Sequence, residues 1–332
     1  MKAHMYQDLN VDYEPGQHSN WTGRTTDAKL GNQYWHQEIG CIDLRDLTEE
    51  QVPDIAVLGY VCDEGVRRNQ GRVGACEGPK QLRERLAKLP IHFEGKRVVD
   101  IGDFICIDHA MESCQHALTQ TISTLIAQHV FPIAIGGGHD IAYGHFMGIR
   151  EALKGRSKSK IGIINFDAHF DLRAVEVQPN SGTPFNQILS ELEGTDDAVG
   201  YFPIGIQQQS NTKALFDIAR NKSVAYAMHS ECESASEAIT ALQERLLPFI
   251  AHYDYLYITI DMDGFSSAYA PGVSAPSPLG FSPHFVFKML RFLFDTKKVI
   301  SCDIAELNPR LDRDQSTANL AARLVDFMVM CI

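Results

Sequence analysis

From residue 54 onward, short apolar runs alternate with stretches of helical character, and this alternation limits the possible folds more than any other feature of the chain. Eight runs stand out: Asp54 to Val61, Arg97 to Asp103, Phe131 to Gly138, Lys160 to Asp167, Tyr201 to Ile206, Ser223 to Met228, Tyr255 to Asp261 and Val299 to Leu307. They are nearly continuous in β-branched and aliphatic residues, the pattern of strands buried on both faces. Between them, Leu82, Leu86 and Leu89 recur at helical spacing with Pro79 near the start of their segment, and residues 114–129 and 234–250 read the same way. Strands alternating with helices imply a mainly parallel sheet covered on both sides, in one large doubly wound α/β domain. In such folds a ligand site lies outside the carboxyl ends of the strands.

No low-complexity segment, internal repeat or Pro/Gly/Ser linker divides the 332 residues. The first fifty are polar and irregular, so residues 1–50 are expected to form an extension packed on a single catalytic domain of residues 51–332. The formal net charge of -12 argues against a general nucleic-acid binder, which needs clustered Lys and Arg. It leaves room for a small anionic substrate in a pocket of locally different sign. The eight cysteines are scattered with no CxxC, which points to reduced thiols rather than a disulfide framework or a zinc cluster. No apolar run approaches a membrane span, and the opening residues lack the apolar stretch of a secretory signal. These features together lead us to expect a cytoplasmic protein.

Three of the apolar runs end in metal-ligand residue types. "AIGGGHD" offers His139, "NFDAHFD" offers Asp167, His169 and Asp171, and "ITIDMDG" offers Asp261 and Asp263. Spacing of i, i+2, i+4 keeps side chains on one side of an extended backbone, and Gly136 to Gly138 allow a sharp turn beside a crowded site. A lone Asp-x-His-x-Asp is also consistent with a solvated turn, and Asp261 and Asp263 alone with a capped one. Three such sets after three apolar strands point to a metal site. Four carboxylates and two imidazoles exceed the needs of one ion and suit two ions sharing bridging carboxylates. Oxygen-rich ligation with some imidazole favours Mn2+, with Zn2+, Co2+ and Fe2+ also compatible. A paired site acidifies a water, which then attacks an electrophilic carbon. Asp171 is the candidate to hold and relay its proton.

The chain from about Asp54 onward resembles the ureohydrolase family of arginases, agmatinases and formimidoylglutamases. The resemblance rests on "GGGHD", "NFDAHFD", "SGTPF" (Ser181 to Phe185), "TIDMDGFSSAYAPGVSAPSPLGF" (Thr259 to Phe281) and "DIAELNP" (Asp303 to Pro309). It implies a three-layer α/β/α sandwich with a mainly parallel eight-stranded sheet and two manganese ions per subunit. Carried over by position, it also implies His139, Asp167, His169, Asp171, Asp261 and Asp263 as ligands. Glu306 matches the acid that holds a substrate guanidinium in that family, and an amidinium calls for the same planar two-bond partner.

Two departures narrow the substrate. Arg173 stands where arginases have an asparagine, and a fixed cation there repels a cationic tail and attracts a carboxylate. "SGTPFNQI" lacks the histidine of the arginase "SGNxHG", with Phe185 nearby. "WTGRTT" (Trp21 to Thr26), "YWHQ" (Tyr34 to Gln37) and "CDEGVRRNQGRVGACEGP" (Cys62 to Pro79) resemble the formimidoylglutamase branch, and within the last Arg72 is a candidate for the substrate mouth. The implied reaction is hydrolysis of N-formimidoyl-L-glutamate to L-glutamate and formamide. The alternatives are an agmatinase or guanidino-acid hydrolase, such as a guanidinobutyrase, and more remotely a metal-binding homologue without activity. A homo-oligomer is compatible with the resemblance. Of the remaining histidines, including His4, only His109 and His145 call for inspection near the site. Asp140 reads either as a partner of His139 or as an ordinary turn acid.

Overall fold

A computed structural model describes residues 9–27, 29, 31–47, 52–155, 159–195 and 198–332; His4 lies outside them. Ten strands form one sheet: β1 (Val11–Glu14), β2 (Gly40–Cys41), β3 (Ile55–Val61), β4 (Val98–Cys106), β5 (Phe131–Ile135), β6 (Ile161–Phe166), β7 (Val199–Ile206), β8 (Ala227–Met228), β9 (Tyr255–Asp261) and β10 (Val299–Ala305). Their order is β1-β4-β3-β5-β10-β9-β6-β7-β8, with β2 also paired to β4.

The eight strands from β4 to β8 are parallel and correspond to the eight apolar runs. The two extra strands correct both the count of eight and the expectation of an irregular start. β1 runs antiparallel along the C-terminal half of β4, and β2 runs parallel along its N-terminal half. Neither has the long apolar run by which a buried strand is recognised, because each covers one sheet edge rather than filling the middle. Trp21 and Trp35 tie this segment down. Their indole N–H groups donate to the carboxylates of Asp100 at 2.8 Å and Asp326 at 2.7 Å.

The period of two along each inner strand divides the core into two layers. Ile164 and Phe166 of β6 pack on one face with the helices Gly78–Leu86, Ser236–His252, Pro283–Asp295 and Ser316–Cys331. Ile161 and Ile163 pack on the other with Met111–Ala127, Ile141–Leu153, Pro184–Glu191 and Lys213–Asn221. Helices cover both faces, so the architecture is the three-layer sandwich. The helical spacing of Leu82 and Leu86 has its cause here, since both are fully buried. On the same helix the guanidinium of Arg83 is buried against Asp100 (2.8 Å) and Asp103 (2.6 Å) of β4. Strand order reverses at the middle of the sheet, and the C-terminal ends of β5, β10, β9 and β6 lie side by side there. No helix among the described residues is long and apolar enough to cross a membrane.

Candidate metal centre and substrate cleft

Past the end of β5, the turn Gly136–Gly138 is stitched to its neighbours by backbone bonds. Gly136 N–H donates to Ile304 O (2.6 Å), Gly137 N–H to Tyr60 O (2.8 Å) and Gly138 N–H to Cys62 O (2.9 Å). A Cβ on Gly137 would lie 1.8 Å from the Cys62 carbonyl oxygen, so no other residue fits. Glu306 N–H donates to Gly137 O at 2.8 Å, and His139 N–H donates to Glu306 Oε1 at 3.0 Å. The turn thereby delivers His139 and Glu306 to the same floor.

The two aspartate motifs fold alike, though not as the extended segments the spacing suggests. β6 ends at Phe166, and Asp167 Oδ1 accepts the backbone N–H of His169 at 2.6 Å. β9 ends at Asp261, whose Oδ1 accepts the N–H of Asp263 at 2.7 Å. Each acid thus closes a turn on the residue two places on. Asp171 reaches the site with a left-handed backbone at φ 47°, as does Glu306 at φ 66°. Such conformations are disfavoured by on the order of 1–3 kcal/mol, and they cluster at functional sites.

All six predicted ligands converge. His139, Asp167, Asp171 and Asp261 offer atoms within 4.8 Å of one another, as do Asp167, His169 and Asp263, and Asp167 belongs to both groups. His139 Nδ1 faces Asp171 Oδ2 at 3.0 Å and Asp167 Oδ2 and Asp261 Oδ2 at 3.2 Å each. His169 Nδ1 lies 3.0 Å from Asp263 Oδ2.

These acids are buried close together, and their acidities are displaced accordingly. Burial, then the charge of Asp167, pushes Asp171 up to about 6. Burial, then Asp263, pushes Glu306 up to about 8. Burial likewise raises Asp261 and Asp263. For His139 and His169 burial works against the charged form, but the surrounding carboxylates prevail and hold both imidazoles well above their ordinary range. Burial also opposes the ionised form of Asp167, yet His139 and His169 overcome it and keep that carboxyl below the usual range. Asp263 Oδ1 is buried with no hydrogen-bond partner. A cluster of acceptors that must recruit protons, with one oxygen unsatisfied, fits two groups of three or more ligands sharing Asp167 around divalent cations.

A cleft of about 330 Å3 opens over this floor. His139, His169, Asp171, Asp261, Asp263 and Glu306 line its base, and Asn69, Arg72, Arg173, Ser181 and Ser274 line its walls. The Arg173 side chain makes no hydrogen bond or ion pair with other described residues. It packs on Gly182, where a Cβ would lie 2.9 Å from Arg173 Cδ. The Arg72 guanidinium lines the cleft but donates to the carbonyls of Ser274 and Val273, each at 2.9 Å. Arg67 and Arg68 instead pair with the buried Glu64. The Phe185 ring stands edge-on to His139 at 5.5 Å between ring centres.

His109 bonds Glu64 at 2.9 Å, outside the cleft. His145 is fully buried beside Asp303, beneath the site. Asp140 is no turn acid at the surface, because it is buried and accepts from Tyr60 Oη at 2.6 Å.

Several supporting residues escaped the sequence reading. Asn211 clamps the 168–170 loop, accepting from Phe170 N–H (3.0 Å) and donating to Ala168 O and Gln207 O (2.8 Å each). Asn165 donates to Asp167 Oδ2 at 3.0 Å. Thr259 and Asp303 stand behind His139. In "NFD" and "TID", Asn165 and Thr259 are polar residues inside otherwise apolar runs, which is the available signal.

Fold and site together define a member of the arginase family: the family model matches residues 53–331, and the chain belongs to it. The chain is 43% identical over 312 residues to the formimidoylglutamase of Geobacillus thermodenitrificans (strain NG80-2), covering 93% of this chain and 94% of the relative. The crystal structure of the Bacillus subtilis formimidoylglutamase superposes with a TM-score of 0.79 at 21% identity over 93% of this chain and 94% of that one, a likeness of fold. The Trypanosoma cruzi formiminoglutamase solved with Mn2+ gives a TM-score of 0.74 at 26% identity, covering 87% of this chain and 96% of that one.

Proposed function

We propose that this chain is a hydrolase cleaving the C–N bond of N-formimidoyl-L-glutamate to give L-glutamate and formamide, with a pair of Mn2+ ions held by His139, Asp167, His169, Asp171, Asp261 and Asp263. The observation that carries the reading is the division of one cleft. A buried acid, Glu306, lies beside the ligand cluster at its base, and Arg173, whose guanidinium has no hydrogen bond or ion pair among the described residues, lies on its wall. Such a cleft matches a substrate with an amidine carbon at one end and carboxylates at the other. The relatives named formimidoylglutamase support it further.

Bound there, the metal pair supplies a water acidic enough to attack carbon at neutral pH. The protein's own groups do the rest. Glu306, with Oε1 on the His139 N–H, holds the amidinium and orients its carbon. Asp171 takes the proton of the attacking water and returns it to the substituted nitrogen, which leaves as the amine of glutamate. Arg173 pairs with a substrate carboxylate, and Arg72 frames the mouth. The catalytic domain of this reading is residues 51–332, with the first fifty as an extension fastened through Trp21 and Trp35. All eight cysteines are free thiols, which supports a reducing, cytoplasmic setting.

The test is hydrolysis by manganese-loaded protein of N-formimidoyl-L-glutamate, guanidinobutyrate and agmatine side by side. Rapid release of glutamate from the first, with little turnover of the others, is expected. Preference for either guanidino compound would transfer the same chemistry to a different tail and overturn the substrate.

A further inference from the structure

The wall loop that carries Arg173 is fastened at its two ends. Between them, residues 174–178 are exposed and make no hydrogen bond with other described residues. At the near end Arg173 N–H donates to Gly182 O at 2.9 Å, and the Arg173 side chain rests on Gly182. At the far end the chain returns across the short helix Glu64–Arg68. There Ser181 N–H donates to Gly65 O at 3.1 Å, Asn69 Nδ2 donates to Ser181 Oγ at 3.1 Å, and Arg68 Nη1 donates to Pro179 O at 3.1 Å. The rest of the Arg68 fork is also engaged. Its Nε donates to Glu64 Oε1 at 2.9 Å, and its Nη2 donates to His109 O at 3.2 Å and to Glu112 Oε2 at 3.1 Å. The neighbouring Arg67 shares the partner Glu64 but reaches nothing on the loop. The Arg68 side chain is 8% exposed and that of Arg67 is 53% exposed.

We propose that Arg68 is a positioning residue for substrate binding, which latches the returning limb of the 173–182 loop and so holds Arg173 where a substrate carboxylate meets it. Arg68 does not line the cleft, so it acts through the loop and not on the substrate. Its planar fork offers five N–H donors in fixed directions, and here they join three segments distant in sequence: the helix Glu64–Arg68, the turn at His109 with Glu112 beyond it, and Pro179. Gly182, three residues past Pro179, is the surface on which Arg173 lies and the acceptor of its backbone N–H. A limb released at Pro179 leaves that surface less fixed, and the cost of ordering it then falls on substrate binding. The charge of Arg68 is matched by Glu64 and Glu112, so its contribution is one of placement more than of attraction at a distance. The inference rests on the proposed pairing of Arg173 with a substrate carboxylate.

Steady-state kinetics on N-formimidoyl-L-glutamate test it, with manganese-loaded wild type, Arg68→Ala, Arg68→Lys, Arg67→Ala, Arg173→Ala and the double variant Arg68→Ala/Arg173→Ala. Manganese content and melting midpoint are measured on the same samples. Arg68→Ala is expected to raise KM about 3- to 30-fold, with kcat within a few-fold and manganese content unchanged. Arg67→Ala removes a charge from the same helix and is expected to keep the wild-type KM. The double variant is expected to show a KM no higher than that of Arg173→Ala alone, because the latch then has nothing left to position. Arg68→Lys keeps a cation beside Glu64 and Glu112 but not the fork, and is expected to raise KM as well, which covers an alanine variant that fails to fold. A wild-type KM in Arg68→Ala, or in Arg68→Lys where the alanine variant does not fold, would overturn the positioning role. So would an equal rise in Arg67→Ala, a double variant in which the two single effects multiply, or a collapse of kcat with lost manganese. No turnover by wild type, or an unchanged KM in Arg173→Ala, would instead remove the substrate reading, and the inference with it.

Discussion

The base of the cleft is made by the ends of β5, β6, β9 and β10, and its walls are made by the loops around Asn69–Arg72, Arg173–Ser181 and Ser274. At the base, His139, Asp167, Asp261, Asp263 and Glu306 are at most 5% exposed, and each is held by backbone or side-chain hydrogen bonds within the strands' own turns. On the walls, Arg72 and Arg173 are exposed, and only Arg72 is anchored by its side chain. A rigid, charge-crowded base suits bond chemistry, which tolerates little misplacement. A looser cationic wall suits recognition of a substrate tail, and a guanidinium without a partner among the described residues, Arg173, is the group proposed to set the preferred charge. On the proposed reading, the bond chemistry of this chain sits at the strand ends and the choice of substrate tail on the loops.

The comparison is broken most severely at the base. Asp263→Ala removes a proposed ligand whose Oδ1 has no hydrogen-bond partner among the described residues. It is expected to lower kcat by about 1000-fold or more and to reduce manganese content, read by steady-state kinetics and metal analysis of the same sample. Glu306→Gln keeps the shape but removes the buried charge that an amidinium needs. A loss of about 2–5 kcal/mol in transition-state binding, roughly 30- to several thousand-fold in kcat/KM, is expected with manganese retained. On the wall, Arg173→Ala is expected to raise KM about 10- to 100-fold, the worth of a charge-assisted bond, with kcat little changed. Arg72→Ala is expected to raise KM less, because that guanidinium is already committed to the carbonyls of Val273 and Ser274.

The smallest expected effect sharpens the contrast from the side of stability. In the metal-free protein Glu306 sits at about 8 and Asp171 at about 6, with Asp261, Asp263, His139 and His169 also raised. A group raised on folding binds its proton more tightly in the folded state, so its stabilisation is lost as pH rises through the folded value. Within the base only Asp167 is lowered; its stabilisation is present in full above the ordinary carboxylate range and is lost only as pH falls below it, so it does not change between pH 5 and 8. The melting midpoint of metal-free protein is therefore expected to fall by a few degrees between pH 5 and 8, and Mn2+ is expected to abolish the decline by replacing the protons. A flat profile in metal-free protein would contradict the electrostatic description of the base.

The same division governs how much could be read from the sequence. β5, β6, β9 and β10 announce themselves because strands buried on both faces must be apolar throughout, and a ligand-type residue at the end of such a run is conspicuous. β1 and β2 do not, since Val11–Glu14 and Gly40–Cys41 gain their order from the edge of β4 rather than from their own composition. The convergence of His139, Asp167, His169, Asp171, Asp261 and Asp263 was legible, but the turns that achieve it were not. A period of two suggested extended backbone where Asp167 and Asp261 each fold back on an N–H. Arg173 was legible as a charge out of place. The engagement of Arg72 with Val273 and Ser274 was hidden, because it depends on a loop two hundred residues away. Thr259 and Asp303 were hidden for the related reason that their partnership crosses two strands adjacent only in the folded sheet.

The most direct test of the division between base and wall is to measure kcat, KM and manganese content together for wild type and Arg173→Ala acting on N-formimidoyl-L-glutamate. Two manganese ions in both proteins, a kcat within a few-fold and a KM raised about 10- to 100-fold are expected. A collapse of kcat with lost manganese would make Arg173 part of the base, and an unchanged KM would leave the substrate's carboxylates without the partner assigned to them.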